Sequence, residues 1–263
     1  MIHTGSMTRP LFWQGCTPWQ GRSLYSLALA LLLSAGLADA QSGSAAPGPA
    51  PSRPTVVELY TSEGCSSCPP AEAQIGRLAK QDDVIALAFH VDYGDDLGWR
   101  DRFGLPEAVT RQRRYAHALH LPSVYTPQLV IDGQRDLVGG GGDGAIARTT
   151  SGGKPGVPLD VAVQDGKLMV TLGAQQQQAA CDVLLVGYLP EASSRVTRGE
   201  NAGRELHEFN IVRSVRTLGS WNGEGRSFNV PLTSLPADAT GVVVLVQQRD
   251  QGPIVGAATR QLR

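Results

Sequence analysis

A chain of 263 residues, 41% of them hydrophobic and with a formal net charge of −1, has the apolar material for a folded core and no charge excess pointing to nucleic acid or a membrane surface. Its 31 glycines and 17 prolines imply many turns.

The first 40 residues read as an address and not as part of the fold. Arg9 and Arg22 precede an apolar run from Leu24 to Leu37, and Ala38-Asp39-Ala40 supplies the small residues of a cleavage site. That is the pattern of a secretory signal peptide, with an apolar run too short for a membrane span. Cleavage after Ala40 removes Cys16 and leaves Cys65, Cys68 and Cys181 in a periplasmic or secreted protein. In an oxidising compartment Cys65 and Cys68 are expected to rest as a disulfide. Residues 41–54 are Ser, Ala, Pro and Gly with few large apolar side chains, so a disordered spacer is expected.

Folded structure is expected from Thr55. The β-branched run Thr55 to Thr61, a short break, Cys65-Ser66-Ser67-Cys68 and then Pro69-Pro70 predict strand, turn and helix, with the thiols at the helix N-terminus. The positive end of the helix favours a thiolate, so Cys65 is the expected nucleophile and Cys68 the resolving thiol. Glu63, two residues before Cys65, opposes that activation. Val84 to Val91 reads as a buried strand, which makes a parallel βαβ unit with the first. An insert over Asp92 to Val124 follows, with Tyr93 and Trp99 either walling a pocket or packing the insert, and a helix from Pro106 to Leu119. On that helix Arg111, Arg113 and Arg114, beside His117, suggest a solvated basic face. Strands at Gln128 to Asp132 and Arg135 to Val138 and a helix near Asp143 to Thr150 complete the order of a thioredoxin core.

Glu58-Leu59-Tyr60-Thr61-Ser62-Glu63-Gly64-Cys65-Ser66-Ser67-Cys68 resembles the redox strand and turn of glutaredoxins and thioredoxins, and Tyr125-Thr126-Pro127 resembles their cis-proline loop. With Phe89-His90-Val91-Asp92-Tyr93, Leu97-Gly98-Trp99 and, more weakly, Gly199-Glu200-Asn201, the chain resembles the secreted bacterial thioredoxin-like family called domain of unknown function 1223. The resemblance implies a thioredoxin-like fold and redox chemistry. It also implies a carboxylate, Glu58, behind the resolving thiol, where it either accepts that thiol's proton or points to solvent, and a more open pocket where the family commonly has a Trp and this chain has Gly94. A cis Thr126–Pro127 bond would turn the preceding peptide toward the disulfide and an extended substrate; a trans proline opening an edge strand is the alternative. His90 is either a core histidine or a group near the thiols.

Residues 151–156 read as a linker, and residues 157–263 as about seven short strands of a sandwich-like domain. Cys181 is expected to be a buried core thiol. The expected fold class is thus an α/β thioredoxin-like domain over residues 55–150 followed by an all-β domain. Three functions fit the sequence. The first is an exported thiol–disulfide oxidoreductase acting on a protein or small-molecule thiol or disulfide with a separate redox partner, and needing no cofactor. The second is a copper-binding or delivery protein using Cys65, Cys68 and His90. The third is a binding module in which the disulfide is a staple.

Overall fold

The computed structural model describes residues 51–262 except 142, 151–152 and 177–178, so the expected signal peptide, most of the spacer and the start of the expected linker lie outside the described residues. Strand β1 (Ser52–Arg53) leads into β2 (Thr55–Thr61), α1 (Pro69–Leu78) and β3 (Val84–His90), with β3 parallel to β2 from Thr55 opposite Val84 to Thr61 opposite His90. All seven residues of each strand are buried, because both faces of this part of the sheet are covered. A 3₁₀ turn at Tyr93–Leu97 and helix α2 (Pro106–Ala118) follow, then the hairpin β4 (Gln128–Ile131) and β5 (Arg135–Val138), with β4 antiparallel to β2, and helix α3 (Asp143–Thr150).

After the two-residue β6 (Lys154–Pro155) come β7 (Leu159–Gln164), β8 (Lys167–Leu172), β9 (Cys181–Arg195), β10 (Glu205–Trp221), β11 (Arg226–Pro231), β12 (Gly241–Gln248) and β13 (Ile254–Gln261). The principal sheet has eight strands in the order β13-β12-β9-β10-β3-β2-β4-β5, and β11-β8-β7 form a second sheet. The two halves of the principal sheet join where β10 runs parallel to β3, with Ile211 opposite Ala88.

This arrangement corrects the expected fold class. Strand outweighs helix among the described residues, with 13 strands against three α-helices, and a single sheet takes strands from both sides of residues 151–156. A thioredoxin-like α/β domain followed by a β-sandwich-like domain is not what the chain builds. The difference arises in β9 and β10, a hairpin of 15 and 17 residues where short strands are expected, whose outer edge pairs with β3. Alternation of apolar residues identifies a strand but not the neighbour it pairs with. The ends of the expected spacer and linker also meet, since β1 pairs with β6 and Asp132 accepts from Arg53 at 2.6 Å and Lys154 at 2.5 Å.

Three apolar clusters follow from the pleat. Val57, Leu59, Val84 and Ala86 face α1, meeting Ala71, Ile75 and Leu78. On the opposite face, Val56, Tyr60, Leu87 and Phe89 pack with Tyr115 of α2 and continue into Leu184, Val186, Val243 and Leu245. The third lies between the sheets, around Trp221, Leu168, Val170, Val183 and Val244, and contains Cys181 as expected.

Candidate functional site

Cys65 and Cys68 form a disulfide with Cα atoms 5.4 Å apart. Cys68 is the N-cap of α1, where prolines at the first two helical positions need no hydrogen-bond partner for their nitrogens, and its carbonyl accepts from Ala71 and Glu72 at 2.9 and 3.1 Å. Backbone bonds from Cys65 N–H to the Ser62 carbonyl (3.1 Å) and from Cys68 N–H to the Cys65 carbonyl (3.2 Å) fold the intervening turn. Ser66 and Ser67 are exposed, whereas Cys65 and Cys68 are 5% and 1% exposed. Ser67 places its hydroxyl 3.3 Å from Cys65 Sγ.

The tip of the β9–β10 hairpin holds this turn from outside. Glu200 accepts from the Ser66 backbone N–H at 3.1 Å and its hydroxyl at 2.8 Å, contacts that hold the Glu200 carboxyl below its ordinary pKa. Fully buried Asn201 donates to the carbonyls of Glu63 and Cys65 at 2.9 and 3.0 Å, and its own oxygen accepts from Arg204. In the sequence Gly199-Glu200-Asn201 stands out only through a weak family resemblance, because nothing in local periodicity brings residue 200 to residue 66.

Behind the disulfide is a cleft of about 360 Å³ lined by Cys68, Glu63, Glu72, His90, Glu208 and Phe209, among others. His90, on the α1 face of β3, pairs its Nδ1 with Asp101 at 2.8 Å, and its Nε2 lies 3.7 Å from Glu72. Burial alone would lower the His90 pKa; Asp101, with help from Glu72 and Glu208, outweighs it and raises the value to about 9. The Asp101 carboxylate also accepts backbone N–H groups of Glu63 and Phe103, both at 2.8 Å. Burial acts to raise its pKa, but His90 and these donors keep it below the ordinary value. Burial raises Glu72, and burial together with repulsion from Glu63, Glu72 and Asp101 pushes Glu208 up to about 8. Glu72 was legible as one helical turn beyond Cys68, and Glu208 as a carboxylate sharing the inward slots of β10 with Leu206. Asp101 could not be found that way.

The Thr126–Pro127 bond is cis, and Pro127 is buried. A Cβ on Gly139 would lie 2.8 Å from that of Ala71 and 3.0 Å from that of Pro127, which sets the proline loop against the first turn of α1. Beneath the loop, buried Gln112 donates to the Tyr125 carbonyl at 2.7 Å and to Gln128 at 2.9 Å while accepting from Tyr93 at 3.0 Å. Tyr125 and Gln128 both donate to Asp136. Tyr93 thus supports the loop from the insert, and Trp99 donates to buried Glu63 at 2.6 Å.

Glu58 is placed elsewhere. The pleat turns it to the α2 face of β2, opposite α1, where it bonds Arg111 and Tyr115. Arg111 is accordingly buried, not part of the solvated basic face, on which Arg113 and Arg114 remain. Gly94 does not open a pocket either: it is buried against the cysteine turn, and a Cβ there would lie 2.3 Å from Ser62 Oγ.

Comparison with known proteins places this geometry in a group without an assigned activity. The profile of a family described as a protein of unknown function, DUF1223, matches residues 56–247. Protein AGR_C_4864 from Agrobacterium tumefaciens has a similar structure, with 29% sequence identity and a TM-score of 0.68 over 82% of this chain and 97% of that one. HBP35 of Porphyromonas gingivalis, at 14% identity and a TM-score of 0.51 over 80% of this chain and 76% of that one, is similar in fold alone. No curated protein matches the chain.

Proposed function

We propose that this chain, which belongs to DUF1223, is an exported thiol–disulfide oxidoreductase working through Cys65 and Cys68. The observation that carries the reading is a disulfide between residues three apart, capping the N-terminus of α1 beside a proline loop. A staple at that spacing would restrict the unfolded chain by only about 2 kcal/mol, whereas a helix N-terminus stabilises the thiolate that exchange requires. Export rests on the leader pattern of residues 1–40.

In the oxidising direction a substrate thiolate attacks Cys65 Sγ, the Cys65–Cys68 bond breaks, and Cys68 leaves as a thiolate that takes up a proton. A second substrate thiolate then attacks the substrate sulfur of the mixed disulfide and releases Cys65 as a thiolate. The substrate loses two electrons and the cysteine pair gains them, to be returned to a separate disulfide-bearing partner; the same steps in reverse reduce a substrate. Glu72 and His90 share the cleft with Cys68 and are the groups placed to exchange its proton. Thr126 and Pro127 would bind the extended substrate, with Tyr93 supporting their loop through Gln112. Nothing in the site favours the copper reading: His90 is engaged by Asp101, and among the described residues no group of three or more His, Cys, Asp or Glu side chains is placed to hold a metal ion. No helix among them is long and apolar enough to cross a membrane.

In glutathione buffers of graded poise the pair is expected to interconvert reversibly between disulfide and dithiol, followed by thiol alkylation and mass spectrometry. The wild type should also accelerate reduction of insulin by dithiothreitol, and Cys65→Ser should not. A disulfide that stays closed in the folded protein under strongly reducing buffer, or a Cys65→Ser variant as active as wild type, would overturn the reading.

A further inference from the structure

The cleft behind Cys68 holds more carboxyl groups than its surroundings supply with donors or positive charge. Glu63, Glu72 and Glu208 all line it and are 1%, 6% and 1% exposed. Both carboxylate oxygens of Glu208 and one of Glu63 are buried without a hydrogen-bond partner, as is Nε2 of His90, and Glu72 has only the Thr61 hydroxyl and the Phe209 backbone N–H near it, neither in good hydrogen-bond geometry. The opposing charge is slight: His90 is already paired with Asp101, and Arg102, half exposed, reaches Glu63 only at 3.8 Å. His207 at the rim is exposed and bonded to Ser193. Buried carboxylates left in this state are costly unless a donor reaches them.

The walls add a second requirement. Pro69, Ala73, Leu206 and Phe209 make the approach apolar, and the volume of about 360 Å³ suits a small molecule or a side chain. A bare metal ion would leave those walls unused, and the acids are not grouped to ligate one. An aliphatic chain ending in several N–H donors satisfies both the walls and the oxygens, since a guanidinium offers five donors and an ammonium three.

We propose that this cleft binds an aliphatic organic cation, a guanidinium or ammonium head held by Glu72 and Glu208 with its apolar stem along Leu206 and Phe209. The same chemistry occurs in a free amine and in a lysine or arginine side chain of a peptide. The site does not depend on thiol exchange, so its test stands apart from that of the redox reading. A cation there would replace the protons that Glu72 and Glu208 otherwise retain through burial and repulsion from neighbouring carboxylates.

Calorimetric titration of the disulfide-bonded full chain with n-butylguanidinium is expected to show saturable binding, with the neutral isostere n-butylurea at least about tenfold weaker, as expected for losing a charge-assisted hydrogen bond. Glu72→Gln and Glu208→Gln should each weaken n-butylguanidinium about tenfold or more. Ala73→Leu, which fills the exposed rim without touching the acids, should weaken it while leaving the melting temperature unchanged. A blocked Ala-Arg-Ala peptide binding at least as tightly assigns the site to a protein side chain; much weaker binding assigns it to a free small molecule, and both outcomes support a cation site. Equal binding of n-butylurea, affinities indifferent to both glutamate substitutions, or no saturable binding of n-butylguanidinium would overturn it and leave the acids as groups that simply hold their protons.

Discussion

Replacing Glu58 by alanine is expected to destabilise the protein by about 3–5 kcal/mol, the cost of breaking a buried ion pair from one side. Glu58 is fully buried and accepts from Arg111 Nε at 2.8 Å and from the Tyr115 hydroxyl at 2.5 Å. Arg111 also donates to the Tyr115 hydroxyl at 3.0 Å and to Gln247 at 2.9 Å, so strands β2 and β12 and helix α2 meet at this one group. Without Glu58 the guanidinium would remain charged, 7% exposed and short of its counter-ion. A loss of that size is a large part of the roughly 5–15 kcal/mol that holds a typical protein folded. Urea unfolding measures it. Glu58→Met combined with Arg111→Met should recover most of the loss, because two apolar side chains leave no orphaned charge. A single-variant loss below about 1 kcal/mol would show that the network is not the tie it is argued to be.

Stability should fall as pH rises from about 5 to 9, by an amount on the order of a few kcal/mol. His90 has a folded pKa of about 9 against an ordinary 6.5, so its contribution is fully present below 6.5 and is lost as pH rises through 9. Glu208 titrates near 8 in place of 4.5 because it is buried among Glu63, Glu72 and Asp101. Between those values the folded chain holds a proton that the unfolded chain has released, and stability again falls as pH rises. Glu72, also raised, acts in the same direction. Asp101 acts oppositely: its lowered pKa contributes stability above the ordinary 3.8 that is lost as pH drops through the folded value. Melting temperatures at pH 5, 7 and 9 should therefore decline. Glu208→Gln should flatten the pH 5 to 8 part of the profile and His90→Gln the part from 7 to 9. A wild-type profile that is flat or rises toward pH 9 would contradict the cluster's electrostatics.

Local patterns made the first half of the site legible. Hydrophobic runs, the Cys spacing and the prolines placed β2, the disulfide, α1 and β3 nearly to the residue, whereas His90, on a continuously apolar strand, stayed open between a core histidine and a group near the thiols. Partners distant in sequence were not legible. Glu200 and Asn201 reach the cysteine turn because a long hairpin extends past the edge of the sheet, and Asp101 reaches His90 through a loop without periodicity. The same limit hid the junction of β10 with β3 and so misjudged the fold class. Glu58 shows the other kind of error: its position implied by resemblance put it behind the thiol, while the period of two along β2 puts it on the opposite face from Leu59 and α1.

The central claim is that Cys65 attacks and Cys68 resolves. Its most direct measurement is a non-reducing gel of Cys68→Ser and Cys65→Ser, each expressed as the full 263-residue chain and quenched with a thiol-blocking agent. Cys68→Ser should accumulate mixed disulfides through Cys65, because the adduct forms and the thiol that releases it is gone. Cys65→Ser should accumulate few, since Cys68 is 1% exposed beneath the turn. Adducts that are absent from both variants, or equally abundant in both, would contradict the account.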